Sequence, residues 1–333
     1  MTSAVRLLIL LGLFFKIEVL FAQSKLTVYT YPSFLSEWGP GAALKKLFEQ
    51  ECGCTLHFMA AGEGAALISK LKLEGSSSRA DVILGVDNSM VLDAIDSHLF
   101  HPLVVPKLKM QVKIPEQILS YAVPFDFGLI TVMYDSQKIA NPPKSLDDLL
   151  QRSEFRKKLI LQDPRFSAPG LSFLSFLDST YGDSLPAKLK LLRTQALTVT
   201  PGWSEAYALF TKGEAPMVVS YTSSEFYHRI VENSSRYRAA IFSEHAVHVE
   251  FAGVVKTSKN KILATSFVDF LLSHEAQKVI SQANWMYPII PETQIKGLNS
   301  IFSKSAKPHL KELKFLTALS RNKLRDVWLS EFK

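Results

Sequence analysis

The constraint on this chain is an alternation near its start. Leu26–Tyr31 (Leu-Thr-Val-Tyr-Thr-Tyr) is β-branched and aromatic and stops at Pro32-Ser33; Thr55–Met59 and Ala80–Gly85 repeat the strand-like pattern. Between them run helix-like segments, one carrying Ala43, Leu44, Leu47 and Phe48, the next spanning Ala65–Leu73, and a further one opens at Met90 after Asp87-Asn88-Ser89. A βαβαβ order predicts a mostly parallel sheet with helices on both faces, because a helix is the usual crossover between parallel strands. Ligands of such sheets gather beyond the carboxyl ends of the strands. Tyr31, Glu63 and Asp87-Asn88 all fall there.

A second alternation follows a long β-prone segment, Tyr121–Tyr134, punctuated by Pro124 and Gly128 and long enough to leave one domain and enter the next. Its parts are a helix from Ser145, a strand at Leu159–Leu161, a loop from Asp163 to Gly170, an apolar helix over Leu171–Leu177 and a strand at Ala196–Val199. Pro201-Gly202-Trp203 then opens a helix to Phe210. Met217–Val219 reads as a buried strand that breaks into the hydroxyl-rich turn Thr222-Ser223-Ser224, where Ser223 or Ser224 is expected to cap a helix carrying Phe226, Tyr227 and Ile230. Ser167, Trp203 and Tyr221–Tyr227 therefore collect at strand ends of the second half. Ala246–Val255 reads as a strand leading back to the first domain, and the chain from Asn260 as mostly helical, interrupted by the aromatic turn Asn284-Trp285-Met286-Tyr287-Pro288.

A length of 333 residues suits two domains, and 47% hydrophobic with 21% charged residues is globular composition. The net charge of +7 comes largely from Lys304, Lys307, Lys311, Lys314, Arg321, Lys323 and Arg325, which lie among leucines at helical spacing. With no aromatic platform beside them they predict a solvated helix face rather than a nucleic-acid surface. Arg6 before the apolar run Leu7–Phe15 has the form of an export signal, too short for the roughly 20 residues of a membrane span, with cleavage expected near Ala22/Gln23. Cys52 and Cys54 are the two cysteines; in an exported chain they predict a disulfide over a free thiol pair, and they do not stand at the end of the leader as a lipid-anchored cysteine would. No nucleophile elbow, Walker loop, zinc-binding His pair or dinucleotide fingerprint occurs, and the eight histidines are scattered. Binding is expected rather than catalysis, with no metal and no cofactor.

Several motifs together carry a resemblance. Leu26–Tyr31, Glu37-Trp38-Gly39-Pro40-Gly41, Ala80–Asn88, Gln162-Asp163-Pro164-Arg165, Gly202–Tyr207, Ser220-Tyr221-Thr222 and Asn284–Pro288 resemble the type II periplasmic solute-binding proteins of ABC importers, and among them the thiamine-binding kind. The resemblance covers nearly the whole chain after the leader. It implies an α/β, two-lobed periplasmic binding protein fold, each lobe a mostly parallel sheet flanked by helices and joined by crossing hinge strands near Tyr121–Gly128 and Ala246–Phe251. The implied organisation is a signal peptide over 1–22, a first lobe over 23–123 plus 252–290, a second lobe over 124–251, and C-terminal helices over 291–333 packing across both.

The implied ligand is thiamine, with its mono- and diphosphate, held between the lobes of a periplasmic monomer and delivered to an inner-membrane ABC permease. The implied site is Tyr31, Glu63, Gly64, Ser167, Ala168, Trp203, Tyr221, Thr222, Ser223, Ser224, Tyr227 and Trp285. Tyr227, Trp203 and Tyr31 would supply ring faces, Glu63 the counter-charge to the thiazolium, and Ser167 with Tyr221–Ser224 the donors to the oxygen arm. The chain departs from the family pattern at Glu63, where an Asp is expected, and at Ala168, where a second hydroxyl is expected. Two rivals share the fold: a ferric-ion-binding protein, which would use an adjacent tyrosine pair that this sequence lacks, and a thiamine-degrading transferase, which would need a reactive cysteine.

Overall fold

The computed structural model describes residues 24–104, 109–291, 293, 295, 297–301 and 310–332; the expected leader lies outside the described residues. The first alternation is present as β1 (Lys25–Thr30), α1 (Gly41–Cys52), β2 (Thr55–Ala60), α2 (Ala65–Glu74) and β3 (Val82–Asp87), followed by the short helices α3 (Val91–Asp96) and α4 (Glu116–Leu119). β1 pairs in parallel with both β2 and β3. α1 turns Leu44 and Phe48 into the core and ends at Gly53, whose φ of 62° takes the left-handed conformation that glycine tolerates. Cys52 and Cys54 are bonded across that turn.

β4 (Val123–Asp135), buried along its whole length, joins the two halves. The second alternation comprises α5 (Leu146–Gln151), β5 (Leu159–Gln162), α6 (Ala168–Tyr181), α7 (Leu185–Gln195), β6 (Ala196–Thr200), α8 (Trp203–Thr211), β7 (Met217–Tyr221), α9 (Ser224–Ile230) and β8 (Tyr237–Ala239). The chain then returns through β9 (Val247–Val254), α10 (Lys261–Phe270), α11 (His274–Ala283) and the two-residue β10 (Tyr287–Pro288). The strand path is β2-β1-β3-β9-β4-β7-β5-β6, with β8 and β10 also on β4.

β4 changes both partner and core midway. Up to Leu129 it pairs antiparallel with β9, and from Ile130 it pairs with β7. Phe125, Phe127 and Leu129 accordingly pack with Val249 and Phe251 in one core, while Ile130 and Val132 pack with Leu161 and Val219 in another. Met133 points to the opposite face of the second sheet, against Phe210 and Val218. The return crossing is at Ala246, whose carbonyl accepts from the Ile130 N–H at 2.9 Å.

β9 thus belongs to the first sheet throughout. The lobe boundaries expected at 123/124 and 251/252 lie outside these crossings, because apolar alternation marks a strand without showing which sheet supplies its neighbours. Beside the crossing, burial pushes the His245 imidazole down to about 4. The neutral ring accepts from the Phe242 N–H and donates from Nδ1 to the Ile130 carbonyl, 3.0 Å away.

The C-terminal segment spans the seam. Leu313 and Phe315 pack on the first core, and Leu316, Leu324 and Trp328 on the second. Asn88 Nδ2 donates to the Lys314 carbonyl at 2.8 Å. The helix Ala318–Glu331 does not present a wholly solvated basic face: Arg321 is buried, donating to the Ser89 carbonyl at 3.1 Å and to Asp93 at 2.9 Å, and Arg325 is half-buried. Partners remote in sequence turn these charges inward: Ser89 and Asp93 of the first lobe for Arg321, and the Arg165 carbonyl of the second, 3.3 Å away, for Arg325. Lys304 and Lys307 lie outside the described residues.

Candidate functional site

A cavity of about 330 Å³ opens between the lobes where the strand ends of both sheets converge. Its first-lobe wall is Tyr31, Gly85, Glu63 and Gly64, with Trp38 at the rim. The Tyr31 ring sets its Cδ1–Cε1 edge against Gly85, where a Cβ would stand 2.3 Å from Cδ1; Gly85 has a φ of 99° and occupies an irregularity of the β3–β9 pairing. The Tyr31 hydroxyl donates to Glu250 Oε2 at 2.8 Å and accepts from Asn284 Nδ2 at 2.9 Å. Burial, then the charges of Glu250 and Asp126, push this phenol well above its ordinary range, so it remains a donor.

The opposite wall is built on α8 and α9. Trp203 stands at the first position of α8, after the Pro201-Gly202 turn, and donates from Nε1 to Ser220 Oγ at 2.9 Å. Its indole stacks on Tyr207 with centroids 4.7 Å apart and planes 25° apart. Tyr207 is held in turn by His228 Nε2 at 2.8 Å, and His228 Nδ1 by Glu232 at 2.7 Å. This order makes the phenol donate to the ring and the ring donate to the carboxylate. Tyr227 meets Trp285 edge to face at 5.2 Å, and Tyr221 crosses Gly128, where a Cβ would be 2.5 Å from its ring. Rings on three sides offer flat, polarisable surfaces to a planar or cationic ligand.

The charge of the lining is one-sided. Glu63, Glu232 and Glu250 line the cavity, and no Lys, Arg or His is among the lining residues, although the chain as a whole is net positive. Burial, then Glu205 and Glu250, push the Glu63 carboxyl up to about 7. Behind Glu250 lies its cross-strand partner Asp126, fully buried. Burial, then Glu250, raise the Asp126 carboxyl well above the usual carboxylate range. An acidic pocket with no internal cation invites a positive ligand.

Of the residues expected at the site, the structure brings Tyr31, Glu63, Gly64, Ala168, Trp203, Tyr221, Ser224, Tyr227 and Trp285 to the lining. It places Ser167, Thr222 and Ser223 behind it. Ser167 caps α6, accepting from the Gly170 N–H; Thr222 Oγ1 meets the Tyr287 hydroxyl at 2.7 Å; Ser223 is buried with no hydrogen-bond partner on Oγ among the described residues. The expected side-chain cap of α9 is not formed. Ser223 already has helical backbone angles, and Ser224 Oγ instead pairs with Ser220 Oγ at 2.9 Å, so the hydroxyl-rich turn braces the Trp203 indole. Glu250, Asn284, Met286, Tyr207, Glu232 and Trp38 were not read from sequence as site residues. The visible signal for Glu250 was a charge inside the apolar alternation of β9; Asn284 and Met286 flank Trp285; nothing local marks Glu232.

Two α/β lobes on crossing strands, closing on an aromatic and acidic cavity, define a protein that binds a small ligand between its lobes. Residues 77–325 match the family described as bacterial extracellular solute-binding protein. The Thiamine-binding periplasmic protein of Brucella melitensis is 42% identical over 93% of this chain and 92% of its own length. The protein of the same name in Escherichia coli is 41% identical over 94% of each. A solved structure described as a periplasmic thiamin binding protein superposes with a TM-score of 0.82 at 38% identity, covering 93% of this chain and 96% of its own. The chain belongs to the bacterial extracellular solute-binding protein family and has its two-lobed type II fold.

Proposed function

We propose that this chain captures thiamine between its lobes in the periplasm and hands it, as a monomer and without chemical change, to an ABC permease of the inner membrane. The observation that carries the reading is the lining itself, carboxylates and aromatic rings with no cationic side chain. Thiamine joins a fixed positive charge to a flat aminopyrimidine, the two features such a wall complements. The names of the relatives point to the same ligand. Thiamine mono- and diphosphate are included as weaker ligands, since their added negative charge meets three carboxylates and is offset only by the amide ends of α6 and α8.

Nothing favours the rivals. The ferric-ion reading would need an adjacent tyrosine pair, which the sequence does not contain, and the transferase reading a reactive cysteine, where Cys52 and Cys54 are bonded to each other.

Calorimetry of the mature protein against thiamine, its phosphates and ferric ion tests the reading. Heat with thiamine is expected, with a change in tryptophan fluorescence because Trp38, Trp203 and Trp285 line the cavity; no response to thiamine overturns it. Tyr227→Ala should weaken thiamine binding about tenfold, close to 1.4 kcal/mol. Unchanged affinity would show that this ring serves only to pack against Trp285.

A further inference from the structure

Asp126, the buried partner of the lining residue Glu250 at the cavity floor, has no part in the recognition described so far. Asp126 of β4 and Glu250 of β9 are direct partners in the ladder. Glu250 lines the cavity; Asp126 lies behind it, with no solvent exposure. The groups that face the pair come from β9 itself and from five other places. Tyr31 after β1 donates to Glu250, and Asn284 after α11 donates to Asp126 Oδ2 at 2.7 Å. His248 of β9 brings Nε2 to 3.9 Å from Glu250 Oε1 while its Nδ1 is engaged with Ser172 Oγ at 2.7 Å. Asp87 at the end of β3, Tyr221 at the end of β7 and Glu63 before α2 complete the surroundings. Among the described residues no lysine or arginine faces the pair. Asp126 Oδ1 is left without a partner among the described residues.

A fully buried carboxyl set beside a second carboxyl is held in its neutral form unless a positive charge comes near it, and the His248 ring approaches Glu250 rather than Asp126. A cation entering the cavity supplies that charge. We infer that Asp126, directly behind Glu250, is a second acidic element of the cleft, which gives up its proton to solvent as the cationic ligand settles against Glu250, so that uptake is coupled to proton release. The inference rests on the proposed cationic ligand. It also ties binding to the hinge, because both residues sit on the strands that lead into the crossing at Ile130 and Ala246.

The experiment is calorimetric titration with thiamine from about pH 6 to about pH 8.5, in buffers of different ionisation heat, so that protons exchanged are counted directly. Glu63 adds a proton of its own, so it is first replaced: Glu63→Gln is expected to bind more weakly but still to release about one proton per thiamine at the acid end, with affinity rising by up to about tenfold per pH unit while Asp126 holds its proton. Adding Glu250→Gln or Asp126→Asn should abolish that release and flatten the profile, whereas Glu250→Asp should keep it and shows that the position tolerates substitution. Binding by Glu63→Gln without proton release, or release that survives both added substitutions, overturns the inference. Absence of any thiamine heat from the unmodified protein overturns the functional reading beneath it instead.

Discussion

Thiamine should bind about 100-fold more weakly to a Glu63→Gln variant than to the unmodified chain. Glu63 stands on the first-lobe wall, with Glu205 and Glu250 near enough to raise its carboxyl. A unit charge about 4 Å from a cation is worth about 4 kcal/mol at the effective dielectric of a protein surface; desolvation of both partners leaves a net loss of roughly 3 kcal/mol, or about 100-fold. Glu63→Asp should recover most of the affinity, since the charge returns with a shorter reach. An affinity within threefold of the original in Glu63→Gln would remove Glu63 as the counter-charge.

The same residue predicts a pH dependence for the empty protein. Its folded carboxyl titrates at about 7, above the ordinary value of 4.5, so its contribution is whole below about pH 4.5 and is lost as pH rises through 7. The loss is on the order of 2 kcal/mol after allowance for partial exposure. Denaturant unfolding of the empty protein should show it, and the Glu63→Gln variant should not. The thermal shift on adding thiamine should grow over the same interval, because only the ionised carboxylate pairs with the cation.

Gly85→Ala is expected to cost about 2–4 kcal/mol of stability and at least about tenfold in thiamine affinity. Two effects add. At φ 99° an alanine is strained, and its Cβ would stand 2.3 Å from Tyr31 Cδ1 and 2.4 Å from Cε1. The ring has nowhere to retreat, since its hydroxyl is fixed on Glu250 and its edge meets Phe34 at a centroid distance of 5.5 Å. Denaturant unfolding and calorimetry on one preparation separate the terms, and a variant with unchanged stability and affinity would show that Tyr31 is not held against β3.

Much of the architecture is legible in the amino-acid sequence. The strands at Leu26–Tyr31, Thr55–Met59 and Ala80–Gly85 and the long segment after Tyr121 were apparent from runs of β-branched and aromatic residues, and the structure has a strand at each. Less of the site was legible. Tyr31, Trp203 and Tyr227 reach the cavity as expected, since a large ring at a strand end or helix start has few other places to lie. Ser167, Thr222 and Ser223 do not, since a hydroxyl is small enough to be satisfied by whatever donor or acceptor the fold brings near. Thr222 found the Tyr287 hydroxyl and Ser220 found the Trp203 indole, partners that no local pattern announces.

What the sequence by itself determined is therefore the order of strands and helices, their packing faces, and the set of rings and carboxylates available at the strand ends, all of which follow from periodicity and residue type within a few neighbours. Tertiary structure alone decided where the lobes change over, at Leu129/Ile130 and Ala246, and that Glu250, Asp126 and Glu63 share one poorly hydrated space without a cation. Sheet partnership and desolvation are properties of groups far apart in the chain. A carboxylate's charge is written in its residue type, but the protein environment that gives the charge its function is set by the residues folded around it.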